Sequence, residues 1–227
     1  MSEITGPHQG RLPRLIGELR VTGEPLEKAR AAMIMMHGRG ASAEDILTLL
    51  PEITRPGFVY LAPQAANHAW YPNSFLAPLA SNEPDLSSAL ALIASIFERL
   101  AQAGIGPERT ILLGFSQGAC LSLEYVARNA RFYGGVAGLS GGLIGPEGTP
   151  RDYQGSLANT PIFLGCSDID PHIPKKRVEL SAEVLQRLGG NVTMRLYPRM
   201  GHTVNEDEFR AVQAMMDGVL AGIDGRA

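Results

Sequence analysis

Short, almost unbroken apolar runs alternate along this chain with longer segments whose apolar positions recur every three or four residues. The runs at 31–36 (AAMIMM), 58–62 (FVYLA), 110–114 (TILLG), 135–139 (GVAGL) and 161–165 (PIFLG) have the length of strands and carry no charge. Strands so uniformly apolar are buried on both faces, as in a parallel sheet. Residues 192–197 (VTMRLY) alternate and read as a further strand. From Pro84 to Ala103, Leu86, Leu90, Ile93, Phe97 and Leu100 share one helical face. Pro84 and Asp85 suit its first turn and Gly104 closes it. A short helix holding Ile46–Leu50 opens at Ser42, another runs to about Arg128, and another covers Pro174–Leu188. The last helix opens at Asn205, with Glu208 in a capping-box position, and lines up Phe209, Val212, Met216, Val219 and Ile223. Residues 1–30 show no clear period and leave room for edge strands. The pattern predicts an α/β fold: a mostly parallel central sheet, helices on both faces, and a ligand site at the carboxyl ends of the strands. A length of 227 residues fits one such domain over 1–227.

Composition works mainly by exclusion. A net charge of −3 with scattered Lys and Arg gives no nucleic-acid footprint. The one basic run, Lys175-Lys176-Arg177, reads as the start of a solvated helix face. No apolar stretch is long enough for stable membrane insertion, and the first residues lack the pattern of a signal peptide. The two cysteines, Cys120 and Cys166, sit in apolar surroundings without metal-ligand spacing, so buried reduced thiols and a cytoplasmic location are expected.

Candidate chemistry enters through two Gly-x-Ser-x-Gly matches, one around Ser116 (GFSQG) and one around Ser140 (GLSGG). With 26 glycines in the chain, a bare match carries little weight, and context must separate them. Ser116 joins an apolar strand to a helix-forming run, where glycines at 114 and 118 remove side chains that would collide in a tight turn. Ser140 runs into GGLIGP, which cannot start a stable helix. Ser116 is therefore the expected nucleophile and Ser140 a loop neighbour.

A serine hydroxyl needs a base, oriented by a carboxylate. Of the five histidines, His202 fits best, because it follows a strand and precedes the last helix. His37 reads as a loop brace, and His68 falls in a loop with Trp70 and Tyr71. The carboxylate should come from SDIDP, where Asp168 and Asp170 both qualify; a metal set of Asp168, Asp170 and His172 lacks an obvious remaining ligand. Backbone N–H groups of Gln117, next after the serine, and of Arg39, in the glycine-rich loop HGRG, are the expected oxyanion donors. Trp70, Tyr71 and Phe75 are candidate walls of a substrate pocket, with packing beneath a long loop as the alternative.

The segments HGRG (37–40), GFSQGA (114–119), SDIDPHIP (167–174) and MGH (200–202) together resemble the phospholipase/carboxylesterase family of α/β-hydrolases, which includes acyl-protein thioesterases and small bacterial carboxylesterases. The resemblance covers the chain from about residue 31 onward. The stretch LAPQAANHAWYPNSF (61–75) looks most like bacterial hydrolases of aromatic or quinone degradation and stress. The resemblance implies an α/β-hydrolase fold with little or no cap, and a triad of Ser116, Asp170 and His202. It favours Asp170 over Asp168, implies no metal or organic cofactor, and allows a homodimer. The sequence departs from acyl-protein thioesterases at Arg39, where they carry an apolar residue, and in lacking their longer apolar loop. The expected substrate is thus a small to medium ester, aromatic or acidic, rather than a long-chain acyl group. Alternatives are a thioesterase or lysophospholipase, a C–C hydrolase or lyase on the same frame, and a binding protein that keeps the pocket.

Overall fold

The structure, a computed structural model, describes residues 19–225. Strands β1 (Leu19–Gly23), β2 (Ala31–Met36), β3 (Phe58–Pro63), β4 (Thr110–Phe115), β5 (Gly135–Leu139), β6 (Pro161–Ser167) and β7 (Asn191–Tyr197) form one sheet in the order β1-β3-β2-β4-β5-β6-β7. All neighbours pair in parallel except β1, which runs antiparallel along β3. Part of the room left by residues 1–30 is thus taken by an edge strand; residues 1–18 lie outside the described residues.

The strand residues alternate between two cores. Ala32, Ile34 and Met36 of β2 pack with helices α3 (Asp85–Gln102), α4 (Gln117–Arg128) and α5 (Lys175–Arg187). Ala31, Met33 and Met35 pack with α1 (Ala43–Leu47), α2 (Leu50–Ile53) and α6 (Glu206–Asp224). This two-sided burial is why AAMIMM tolerates no polar residue. Met33, Ile34, Met35 and Met36 are fully buried, which is worth roughly 1.5–3 kcal/mol for each side chain of this size.

The helices begin and end for local reasons. Ser42 caps α1 in a capping box with Asp45, and Asn205 caps α6 in a box with Glu208. Gly104 takes φ +80° just past α3. Pro84 sits at the cap of α3 rather than inside its first turn, and the buried face of that helix is Leu86, Ala89, Ile93, Ile96, Phe97 and Leu100, with Leu90 only half-buried. Strand β3 extends through Pro63 instead of stopping before it. Its pairing with β2 ends at Leu61, so the missing proline N–H interrupts no parallel ladder. The basic run of α5 is not wholly solvated: Lys175 and Lys176 are exposed, whereas Arg177 is buried and donates to the carbonyls of Leu143 and Gly145 at 2.8 and 2.5 Å. Through those bonds α5 holds down residues 140–160, the helix-free connection between β5 and β6. Among the described residues no helix is long and apolar enough to cross a membrane.

Candidate active site

The carboxyl ends of β2, β4, β6 and β7 converge on Ser116. This residue connects β4 to α4 with φ +55° and ψ −118°, a strained conformation that lifts the side chain out of the sheet. The turn depends on its flanking glycines. A Cβ on Gly114 would lie 2.3 Å from the Gly118 carbonyl oxygen, and one on Gly118 would lie 2.1 Å from that of Met36. The Ser116 N–H donates to the Leu139 carbonyl at 2.9 Å, which ties the turn to the end of β5. Ser140 also has positive φ, +53°, but it is fully buried, and its hydroxyl finds no partner among the described residues. No helix follows it.

His202 bridges Ser116 and Asp170. Its Nε2 lies 2.9 Å from Ser116 Oγ and its Nδ1 lies 2.7 Å from Asp170 Oδ2. Because the ionised carboxylate can only accept, Nδ1 donates and Nε2 is left to accept from the serine hydroxyl. Asp170 has an inaccessible side chain, and its Oδ1 accepts the amides of His172 and Ile173 at 2.8 and 3.0 Å. Burial pushes this carboxyl up, but His202 and the two amides outweigh it and hold it below its ordinary value. Asp168 does other work: its Oδ1 accepts the Arg199 amide at 2.8 Å and so fixes the loop that carries His202. With Asp168 and Asp170 so engaged, the described residues hold no metal-like group of His, Cys, Asp and Glu.

The backbone N–H groups of Arg39 and Gln117 donate to no atom among the described residues. The loop carrying Arg39 passes beside the serine, since a Cβ on Gly38 would sit 3.4 Å from Ser116 Cβ. The side chains of these two residues grip one segment. Arg39 donates to the carbonyls of Tyr71, Pro72 and Asn73 at 2.9, 2.8 and 2.5 Å. Gln117 accepts the Trp70 amide at 2.9 Å and donates to the Tyr71 carbonyl at 2.8 Å. Segment 70–73 is therefore a strap joining the two residues whose amides are unengaged. His37 braces the same region: its Nε2 accepts the Ala65 amide at 3.1 Å, and its carbonyl accepts the Trp70 indole N–H at 2.8 Å. Burial depresses the His37 pKa, which suits a neutral imidazole accepting that amide.

Residues 18–220 match the family model described as Phospholipase/Carboxylesterase. The chain belongs to the phospholipase/carboxylesterase family. Among solved structures, a phospholipase/carboxylesterase from Dyadobacter fermentans is 40% identical and superposes with a TM-score of 0.85, covering 88% of this chain and 96% of that one. Acyl-protein thioesterase 1 of Debaryomyces hansenii is 28% identical over 92% of this chain and 99% of its own length. Acyl-protein thioesterase 1 of Gibberella zeae is 35% identical, but the match spans 54% of this chain and 53% of that protein. The fold is that of an α/β-hydrolase, and as a phospholipase/carboxylesterase-family member the chain is a serine hydrolase.

Two recesses flank the serine of this family member. One, of about 370 Å³, is lined by Ser116, Gln117, Arg39, Tyr71, Phe75 and His172, among others. Tyr71 and Phe75 thus reach it as the sequence suggested, but Trp70 does not; its indole turns away to bond the His37 carbonyl beneath the loop. His172 was not anticipated there. It is exposed, and its ring stands edge-on to His202 with centroids 4.9 Å apart. Its position two residues after Asp170 is the signal that could have found it. Cys120, four residues after Ser116 on α4, reaches the same recess by helical spacing, although burial pushes its thiol up to about 12. His68, by contrast, is exposed and its ring lies 2.8 Å from the Ala41 carbonyl. The other recess, of about 340 Å³, opens on the far side of His202. A further recess, of about 680 Å³, lies at the amino ends of β4–β7 beside α6, away from every candidate residue.

Proposed function

We propose that this hydrolase cleaves small to medium carboxylic esters through a triad of Ser116, His202 and Asp170. The observation that carries this reading is the continuous chain from Ser116 Oγ to His202 Nε2 at 2.9 Å and from His202 Nδ1 to Asp170 Oδ2 at 2.7 Å. In acylation, Ser116 Oγ bonds to the ester carbonyl carbon while its proton passes to His202 Nε2. The unengaged amides of Arg39 and Gln117 take up the oxyanion. Collapse of the adduct breaks the bond to the alcohol oxygen, which receives the proton from His202. Water then attacks the acyl-enzyme by the same route in reverse, with His202 as base, and the carboxylic acid leaves. Asp170 holds the ring in the productive tautomer and stabilises the imidazolium.

The names of the relatives make thioester hydrolysis a second reading. The recess beside Ser116 favours short acyl groups: it offers about 370 Å³, and Arg39, Ser74 and His172 make its lining partly polar. A long saturated chain gains little from such walls, whereas an aromatic or acidic acyl group meets both Tyr71 and Arg39. The test is an activity screen on p-nitrophenyl esters of graded chain length, a thioester and a lactone, run beside fluorophosphonate labelling. Labelling abolished in Ser116→Ala and kept in Ser140→Ala is the expected result. Loss in Ser140→Ala with full labelling of Ser116→Ala would overturn the assignment.

A further inference from the structure

The recess on the far side of His202 has a composition of its own. Its walls are Ile46, Leu49, Phe115, Val204 and Phe209, contributed by the α1–α2 corner, the end of β4 and the start of α6. His202 stands between the two recesses and lines both, Gly38 lines the inner end of this one, and Ser116, Arg39 and Gln117 line only the other. The Phe115 and His202 rings are 4.9 Å apart, so the apolar wall begins directly against the imidazole. Gly38 keeps the way open, because a methyl group there would touch both Ser116 and Phe115.

We propose that this recess is the alcohol subsite, and that it takes an uncharged apolar alcohol such as a phenol or an alkanol of about six carbons. The inference rests on the esterase reading and assigns the two halves of the ester. The acyl carbon is bonded directly to Ser116 Oγ, so the acyl substituent starts in the recess that Ser116 itself lines. The departing oxygen must face the base that protonates it, so the group attached to that oxygen extends past His202 into the recess that His202 lines without Ser116. About 340 Å³ is ample room, since a 150 Å³ apolar cavity already accommodates benzene. Charge sorts the halves in the same direction. Among the described residues Asp45 is the one acidic group lining the alcohol side, and it disfavours an anionic alcohol. Arg39 lines the acyl side.

The test varies one half of the ester at a time. With acetate as the common acyl group, kcat/KM should rise about fourfold per methylene from ethyl to hexyl, as burial of each CH₂ implies. Leu49→Trp, which fills the recess at a half-buried position outside the triad, should lower kcat/KM for hexyl and phenyl acetate at least tenfold. It should leave methyl acetate and the acyl-length profile of methyl esters within about twofold. A flat alkyl series in the wild-type enzyme would overturn the subsite, and this arm does not depend on the variant folding. A Leu49→Trp enzyme altered in its acyl profile instead would show that the two halves are reversed. Failure of the underlying esterase reading is distinguishable, because it would appear as absent fluorophosphonate labelling of wild-type Ser116.

Discussion

Arg39→Ala isolates what the strap contributes. The substitution removes three hydrogen bonds, to the carbonyls of Tyr71, Pro72 and Asn73, together with a guanidinium that sits 5.9 Å from the Tyr71 ring centroid. Hydrogen bonds to charged groups are worth roughly 1.5–3 kcal/mol each when buried. Arg39 is exposed, and water replaces most of that, leaving about 1–2 kcal/mol for the set. Gln117 still grips Trp70 and Tyr71, so the strap loosens on the Arg39 side alone. The backbone amide of Arg39 remains, but its position relative to that of Gln117 is less fixed. If the lost energy falls on oxyanion placement, kcat drops about 5–30-fold while KM changes less than about threefold. The assay is steady-state hydrolysis of p-nitrophenyl acetate, paired with inhibition by a trifluoromethyl ketone as transition-state mimic. The ketone should weaken by the same factor as kcat/KM. Thermal unfolding should fall by only about 2–8 °C, in keeping with a protein of this size. An unchanged kcat in folded enzyme would refute the strap reasoning. So would a raised KM with kcat intact, which would mean that the loss falls on ground-state binding and not on oxyanion placement.

Three further outcomes follow from the same geometry. Asp170→Asn should cut kcat by about 10³–10⁴, because the ring loses the partner that fixes its tautomer; stopped-flow or steady-state kinetics on an activated ester reads this, and a loss under tenfold would contradict the role. Glu208 is fully buried, and burial raises its carboxyl from an ordinary 4.5 to about 7. Its stabilising contribution is therefore complete below 4.5 and is lost as pH rises through 7, a swing of about 3 kcal/mol; urea titrations from pH 4 to 9 should show a slope that Glu208→Gln flattens. Cys120, buried with its thiol pushed up to about 12, should resist iodoacetamide at pH 8 in native protein and react only after unfolding, as mass spectrometry would show.

The strands and helices were legible because the sheet is buried on both faces and each helix carries an apolar stripe. Local chemistry also decided between the serines, since the glycines of GLSGG forbid the helix that GFSQGA enters. What escaped were pairings across the fold. Nothing in the sequence distinguishes Trp70 from Tyr71 as a pocket wall, because the distinction lies in an indole N–H that finds the His37 carbonyl. Arg177 looked like part of a solvated basic run, yet it is the residue that turns inward to hold the connection after β5. Glu208 was readable as half of a capping box, but not as a buried acid. Its Oε1 would lie only 2.1 Å from a Cβ on Gly165, a residue of β6 far from α6 in sequence.

The strap also divides the loop that follows β3 into parts with different tolerance for change. Residues 70–73 are held by Arg39 and Gln117, whereas Ser74 and Phe75, which line the recess beside Ser116, lie just beyond the last clamped carbonyl. Beyond Asn73 the loop is tied back at its far end, where buried Asn82 accepts the Asn73 amide at 2.8 Å and donates to the Ser74 carbonyl at 3.1 Å, so its length is fixed while its exposed side chains between are free to vary. Diversification of this recess, by selection or by library design, is therefore best confined to side chains of residues 74–81 with Asn82 and the loop length kept, where new walls can be tried on an unchanged frame.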